Sequence, residues 1–286
     1  MILSIVHRTD YAYAQTVSES LNETRLRPIS NEDQVCHSFE IEINPPAPVS
    51  HYLDFFLNMV HVFEINQPHR ALSVVTRSLV ETFPPSLPTG AVVSFESLGA
   101  TQTDSACYDF LQASHFVSTD VPVWKLAMDW VQERTDVLQA CQKIMKEIYE
   151  GFEYCTEVTN VHTHLTEVLD LRKGVCQDFT HVMIGVCRCL GIPARYVSGY
   201  LFTNPGPEAL RGTEASHAWC EVFLPTLGWR GFDPTNNQMA DGRYVKLAIG
   251  RDYHDVPPVR GTYRGSRSRR MTVGVSVRQA EIGREQ

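Results

Sequence analysis

Three residues, Cys176, His217 and Asp233, have the types and the order to do covalent chemistry. The run Arg172-Lys173-Gly174-Val175-Cys176-Gln177-Asp178-Phe179 leads into Phe179, Val182, Met183, Val186 and Leu190. Those apolar positions fall on one face of a helix. Gly191-Ile192-Pro193 stops that helix, glycine just past its end and proline after it. Cys176 is therefore expected at or beside the helix N-terminus, where unpaired N–H groups and the helix dipole favour an anion. Thiols so placed, or beside a protonated imidazole, ionise well below their ordinary ~8.5. The same N–H groups can receive the oxyanion of an attacked carbonyl. Position alone also suits a buried structural cysteine.

The second piece is Ser216-His217-Ala218-Trp219-Cys220-Glu221-Val222. Strand alternation sets His217, Trp219 and Glu221 on one face. Leu224-Pro225-Thr226-Leu227-Gly228 reads as a hairpin turn, and folding back there brings Asp233 to within a few residues of opposite His217. Asp233 precedes Pro234, which places it where a strand ends. A histidine so placed can take the thiol proton, while the carboxylate fixes its tautomer and stabilises the imidazolium. Separately these are a core cysteine, a strand histidine and a turn-forming Asp-Pro. In this order, on helix, strand and strand, they form a plausible Cys-His-Asp triad.

The elements that must hold them divide the chain. Residues 1–82 read as β-rich, with alternation at Leu3, Ile5 and His7, over 38–43, over 60–65 and over 73–80, separated by turns such as Asn44-Pro45-Pro46. This suggests a sandwich or small barrel. Residues 83–90 carry three prolines and are expected to be a linker. Residues 91–286 then form one catalytic domain. It starts with helices, one capped by Asp104 over 105–113, one starting at Val121-Pro122 and one over 136–149. Strands follow from Ile192 onward. Helices first and strands after indicate an α+β fold.

Composition excludes other classes. The 286 residues carry 25 Lys+Arg against 33 Asp+Glu, a net charge of −8, which argues against a nucleic-acid binder. Five arginines between 260 and 270 read as a solvated loop. No apolar run approaches the ~18 residues of a membrane span, and the start lacks the pattern of an export signal. A cytoplasmic location and eight free thiols are therefore expected. His162, His164 and His181 lack further ligands at zinc-like spacing, and no loop has the calcium pattern, so neither metal nor cofactor is expected.

The chain resembles the bacterial members of the transglutaminase-like superfamily of cysteine enzymes. The resemblance rests on Arg-Lys-Gly-Val-Cys-Gln-Asp-Phe around Cys176, Gly-Ile-Pro-Ala-Arg-Tyr-Val-Ser-Gly-Tyr from Gly191, Ser-His-Ala-Trp around His217 and Phe-Asp-Pro-Thr-Asn-Asn around Asp233. It extends through Gly250-Arg251-Asp252-Tyr253 and, more softly, to His7, Asn22-Glu23-Thr24-Arg25 and Asp54-Phe55-Phe56-Leu57-Asn58. It implies a papain-like transglutaminase core, a helix carrying the cysteine packed on an antiparallel sheet, preceded by a β-sandwich-like N-terminal domain. It also implies that Cys176 is the nucleophile, His217 the base and Asp233 the orienting residue. Leu57 stands where related N-terminal domains usually have glycine. Tyr154 is a candidate second oxyanion donor, and a core tyrosine is the equal alternative.

The expected function is thiol-dependent acyl transfer on peptide or side-chain amides, as a cysteine protease or amidase or as a transglutaminase-like enzyme. The partner is a peptide or protein substrate, with no nucleic acid and no membrane. The alternative is a non-catalytic interaction protein that keeps the fold; loss of a triad residue would favour it, and all three are present. Cys176 is expected to be the most reactive thiol at neutral pH. Iodoacetamide labelling with peptide mapping checks this, and preferential labelling of Cys36, Cys107 or Cys141 would contradict it.

Overall fold

A computed structural model describes residues 1–83, 88, 90–156, 163–203, 210–212 and 216–280. The first part is β1 (Ile2–Val17), β2 (Glu19–Thr24), β3 (Gln34–Asn44), β4 (Val49–Leu53), β5 (Met59–Ile65) and β6 (His69–Thr82). Along β1, residues 3, 5, 7, 9, 11 and 13 are buried, while Ser4, Val6 and Arg8 are exposed. That alternation gives each strand one face for the core.

Helices α1 (Ser105–Tyr108), α2 (Val121–Trp130) and α3 (Val137–Gly151) follow. Asp104 and Asp136 cap α1 and α3 through their side chains, and proline sits in the first turn of α2. Helix α1 is a single turn, shorter than the expected 105–113. Beyond it Phe110 and Leu111 donate to the carbonyls of Cys107 and Tyr108, three residues back, so the chain tightens into turns. Next come β7 (Glu153–Tyr154), α4 (Leu165–Leu171), β8 (Lys173–Gly174) and α5 (Cys176–Cys189). The chain ends in β9 (Ala194–Leu201), β10 (His217–Leu224), β11 (Gly228–Asp233), β12 (Gln238–Met239), β13 (Tyr244–Gly250), β14 (Val259–Arg264) and β15 (Arg269–Gln279).

Three antiparallel sheets result, ordered β15-β1-β6-β3, β14-β2-β5-β4 and β12-β11-β10-β9-β13. The fold is α+β. Helix α5 packs on one face of the five-stranded sheet; Phe179, Val182, Met183 and Val186 share a core with Ala194, Tyr196, Ala218 and Cys220. Tyr200, Val245 and Leu247 of the same sheet join the core of the two four-stranded sheets, with Leu3, Ile5, Phe63 and Leu72. The central strands are thus covered on both sides. This is why β9 and β10 are buried almost throughout instead of alternating.

Two expectations are corrected here. Residues 259–279 do not stay with the catalytic part: β14 pairs with β2 from Val259↔Thr24, and β15 pairs with β1 from Leu3↔Gln279. Each N-terminal sheet would otherwise present β1 or β2 as a bare edge. The arginine-rich segment is therefore mostly strand, and Arg260 and Arg264 pair with Glu23 and Glu19 across β14 and β2. Of the expected linker, residues 84–87 and 89 lie outside the described residues. Leu57 takes the backbone a glycine favours, φ +63, held by Asp54, whose Oδ1 accepts the N–H groups of Phe56 and Asn58.

A chain ending at Pro258 would leave both edges unpaired and part of the shared core open. Its expected behaviour is loss of the cooperative urea transition and aggregation. A soluble truncated chain with a single sharp transition would contradict the pairing.

Candidate active site

Cys176 is the first residue of α5, as its sequence context requires. The Asp178 carboxylate accepts the Val175 N–H at 2.8 Å, holding the chain as it enters the helix. Gly174 makes room for this: a β-carbon there would lie 2.6 Å from Asp178 Oδ2 and 2.7 Å from its Cβ. Thr180 Oγ1 donates to the Cys176 carbonyl at 2.7 Å and ties the first turn to the second. Cys176 itself is partly exposed.

Strands β10 and β11 form the expected hairpin, with Cys220 opposite Phe232. Asp233 is the next residue on β11. His217 Nε2 lies 2.7 Å from Asp233 Oδ2, and neither side chain is exposed. Oδ2 also accepts from Asn236 Nδ2 at 2.8 Å and from the Tyr244 hydroxyl at 2.8 Å, while Oδ1 accepts the Thr235 N–H at 2.9 Å. Four donors around one carboxylate make ionisation tolerable in a dry site. Burial opposes charge on Asp233, but His217 and these donors outweigh it and lower its pKa.

With Nε2 bonded to Asp233, Nδ1 is the ring atom left for the cysteine. Burial pushes the His217 pKa down, but the Asp233 charge and hydrogen bond, with the Cys176 sulfur nearby, raise it to about 10. The Asp233 carboxylate thus favours the protonated ring. Trp219 stacks beside the ring at 6.2 Å between centroids. It lies across Gly199, where a β-carbon would come within 2.4 Å of the indole and 2.2 Å of the Val245 carbonyl. Gly212, at φ +80, passes close to the ring, and a β-carbon there would lie 2.5 Å from Nδ1. Asn236 fixes that segment by accepting the Arg211 N–H at 2.8 Å.

Cys176 and His217 open onto one cavity of about 650 Å³. Tyr154 and Tyr196 line it as well. Burial, and next the neighbouring Cys176, push the Tyr196 phenol well above its usual range, so it keeps its proton. The structure brings together the three residues singled out in the sequence and sets Tyr154 at the same cavity. It adds Asn236, three residues from Asp233, and Tyr244, Tyr196 and Gly212, whose contribution depends on packing between separate segments. Asn236 lay inside a quoted motif without a role; Tyr244 carried no local signal. Of the histidines weighed as ligands, His162 lies outside the described residues. His181 accepts the Tyr253 N–H at 3.2 Å. No group of three metal-ligating side chains occurs among the described residues.

A buried histidine–carboxylate pair beside a helix-terminal cysteine is the arrangement of a thiol enzyme of the papain-like class, and comparison with known proteins agrees. The chain matches the bacterial transglutaminase-like N-terminal region over residues 3–81 and the transglutaminase-like superfamily over residues 125–234. It belongs to the transglutaminase-like superfamily. An uncharacterized protein of Mycobacterium tuberculosis is 34% identical over 289 residues, covering 96% of this chain and 91% of its own. One of Mycobacterium leprae is 33% identical, covering 96% and 98%. A chicken protein-glutamine gamma-glutamyltransferase is 30% identical over 98 residues, which cover 26% of this chain and 14% of that protein. A crystal structure from Cytophaga hutchinsonii, described as a candidate cysteine protease, shares the fold with a TM-score of 0.82 at 23% identity, covering 98% and 91% of the two chains.

The pKa shifts fix the pH dependence of stability. His217 is raised from 6.5 to about 10, so its contribution is complete below pH 6.5 and is lost as pH rises through about 10. Asp233 is lowered, so its share is present above the ordinary carboxyl range and is lost as pH falls below it. Asp233→Asn should therefore cost most stability near neutrality, with the difference from wild type shrinking as pH rises through about 10. Urea midpoints of both proteins from pH 6 to 10.5 check this; a constant difference would contradict it.

Proposed function

We propose that the protein is a thiol-dependent acyl-transfer enzyme acting on peptide or side-chain amides, with Cys176 as nucleophile, His217 as base and then acid, and Asp233 as the orienting carboxylate. The observation that carries this reading is that Cys176 and His217 face one cavity while His217 Nε2 is bonded to a buried Asp233. That bond directs Nδ1 to the thiol. With the thiol's proton already held on Nδ1, the sulfur attacks the amide carbonyl as a thiolate. First-turn N–H groups of α5 receive the oxyanion, with Tyr154 the proposed second donor. Nδ1–H then protonates the departing nitrogen, the C–N bond breaks, and an acyl-enzyme forms on Cys176. Water or an amine, deprotonated by His217, releases the acyl group. The same residues serve hydrolysis and amine transfer, and the choice rests with whichever acceptor reaches the acyl-enzyme.

Intact-protein mass spectrometry during incubation with a library of peptide amides tests the reading. The expected result is an acyl adduct at Cys176, with release of amine, and neither in Cys176→Ala. Asp233→Asn should lower turnover by roughly 10–10³-fold, less than the ~10⁴-fold of serine triads because a thiolate–imidazolium pair is partly pre-formed. A folded Asp233→Asn protein with full turnover would contradict the role of Asp233. Absence of any adduct across the library would favour a binding protein that keeps the fold.

A further inference from the structure

The cavity beside Cys176 is not built by the catalytic core alone. Its wall facing the five-stranded sheet comes from β1 and β15 of the N-terminal sandwich, through His7, Thr9, Met271 and Val273, with Val259 from β14. Thr9 pairs with Val273 and Tyr11 with Met271, so these side chains alternate onto one face of the sheet. A volume of about 650 Å³ falls in the ~300–1,000 Å³ of sites that enclose a ligand, far more than a thiol and an imidazole occupy. Met271 is 53% exposed, an apolar side chain left at the cavity wall instead of in a core.

The polar content of this wall is neutralised from within. His7 Nε2 bonds Thr9 Oγ1 at 2.8 Å, and Nδ1 lies 3.0 Å from the Tyr200 hydroxyl. Burial pushes its pKa down to about 4, so it carries no charge near neutrality. Among the described lining residues none is a carboxylate, and Arg211 is the one guanidinium. Arg211 sits over the Tyr149 and Tyr154 rings, beside the Gly212 that touches His217. A cationic side chain entering this cavity would meet Arg211 and the His217 ring, with no carboxylate among the described lining residues. An apolar one would meet methionine and valine.

We propose that the N-terminal sandwich and the C-terminal strand β15 form the specificity wall of the acyl site, and that it selects substrates whose acyl residue carries a large apolar side chain and rejects cationic ones. This rests on the reading of Cys176 as the nucleophile. It assigns the sandwich a role in substrate choice and explains why β15 returns to it: the strand closes the edge of β1 and brings Met271 and Val273 to the reacting sulfur's cavity.

The test alkylates Cys176 directly and needs no turnover. N-acetyl-aminoacyl chloromethyl ketones with glycine, phenylalanine and lysine side chains present the same electrophile behind different acyl residues. Cys176 Sγ forms a bond to the methylene carbon, the C–Cl bond breaks, chloride leaves with the electron pair, and the proton the thiol had given up stays on His217. Rates at Cys176, each divided by the rate with glutathione, should be about 10-fold or more faster for phenylalanine than for glycine, the discrimination an apolar pocket gives, and no faster for lysine than for glycine. Met271→Trp, at a position exposed enough to accept the larger ring, should bring the phenylalanine-to-glycine ratio close to one, with folding checked by circular dichroism. Met271→Ala should lower the same ratio more mildly. Equal rates for the three reagents in wild type, a preference for lysine, alkylation away from Cys176, or a ratio unmoved by both Met271 variants would overturn the proposal. Apolar preference without any amide turnover would instead contradict the acyl-transfer reading and leave the wall standing.

Discussion

The pair of His217 and Asp233, both side chains shut off from solvent, is the interaction the rest of the site depends on. A buried ion pair is not a free gain. Each charge loses several kcal/mol of hydration, and removing one partner costs about 3–5 kcal/mol because the other is stranded. The fold meets this cost by saturating the carboxylate. Asn236, Tyr244 and the Thr235 N–H donate to it in place of water, and Gln238 in turn donates to the Tyr244 hydroxyl at 2.6 Å. The glycines at 199 and 231 then let Trp219 lie flat on the sheet beside the imidazole. The ring is held through Nε2, which leaves Nδ1 for Cys176.

That precision requires a rigid sheet, and the rigidity comes from outside the catalytic motifs. Glu221 lies four residues along β10 from His217. It is fully buried against Arg195 at 2.6 Å and Lys246 at 2.6 Å, and Lys246 also pairs with Asp33 of the N-terminal part. Burial alone would raise the Glu221 carboxyl; the two cations instead draw it down to about 2. Gln34 donates to the Lys246 carbonyl and accepts the Lys246 N–H, and Asn58 does the same with Ile249. The sandwich is thus stitched to β13 by side chains that complete the hydrogen bonding of a sheet edge. It buttresses the sheet through these side chains and walls the cavity through β1, β14 and β15.

The part of this arrangement legible in the sequence is the part governed by local rules. The helix beginning at Cys176 follows from the spacing of Phe179, Val182, Met183 and Val186 and from Gly191. The β10–β11 hairpin follows from Leu224-Pro225-Thr226-Leu227-Gly228. Met271, Val273, Val275 and Val277 alternate with polar or small residues, which marks a strand but not its partner, because alternation says which face is buried and nothing about which edge it closes. Pairing across more than 250 residues with β1 is a matter of topology, so the C-terminal strands looked like part of the catalytic unit. Tyr244 and Gly212 were silent for the same reason: a tyrosine at a strand start and a glycine in a loop gain meaning only from the carboxylate and the imidazole they meet.

The most direct test of the central claim is the protonation state of His217 itself. In protein carrying ¹⁵N-labelled histidine, the ring nitrogens of His217, assigned by comparison with His217→Gln, can be followed by nuclear magnetic resonance from pH 6 to 10.5. The account predicts a doubly protonated ring through neutrality that titrates near pH 10, with the Nε2 proton shifted far downfield by its bond to Asp233 and that shift lost in Asp233→Asn. A ring that is neutral at pH 7.5, or that titrates near 6.5 both with and without the Asp233 carboxylate, would contradict it.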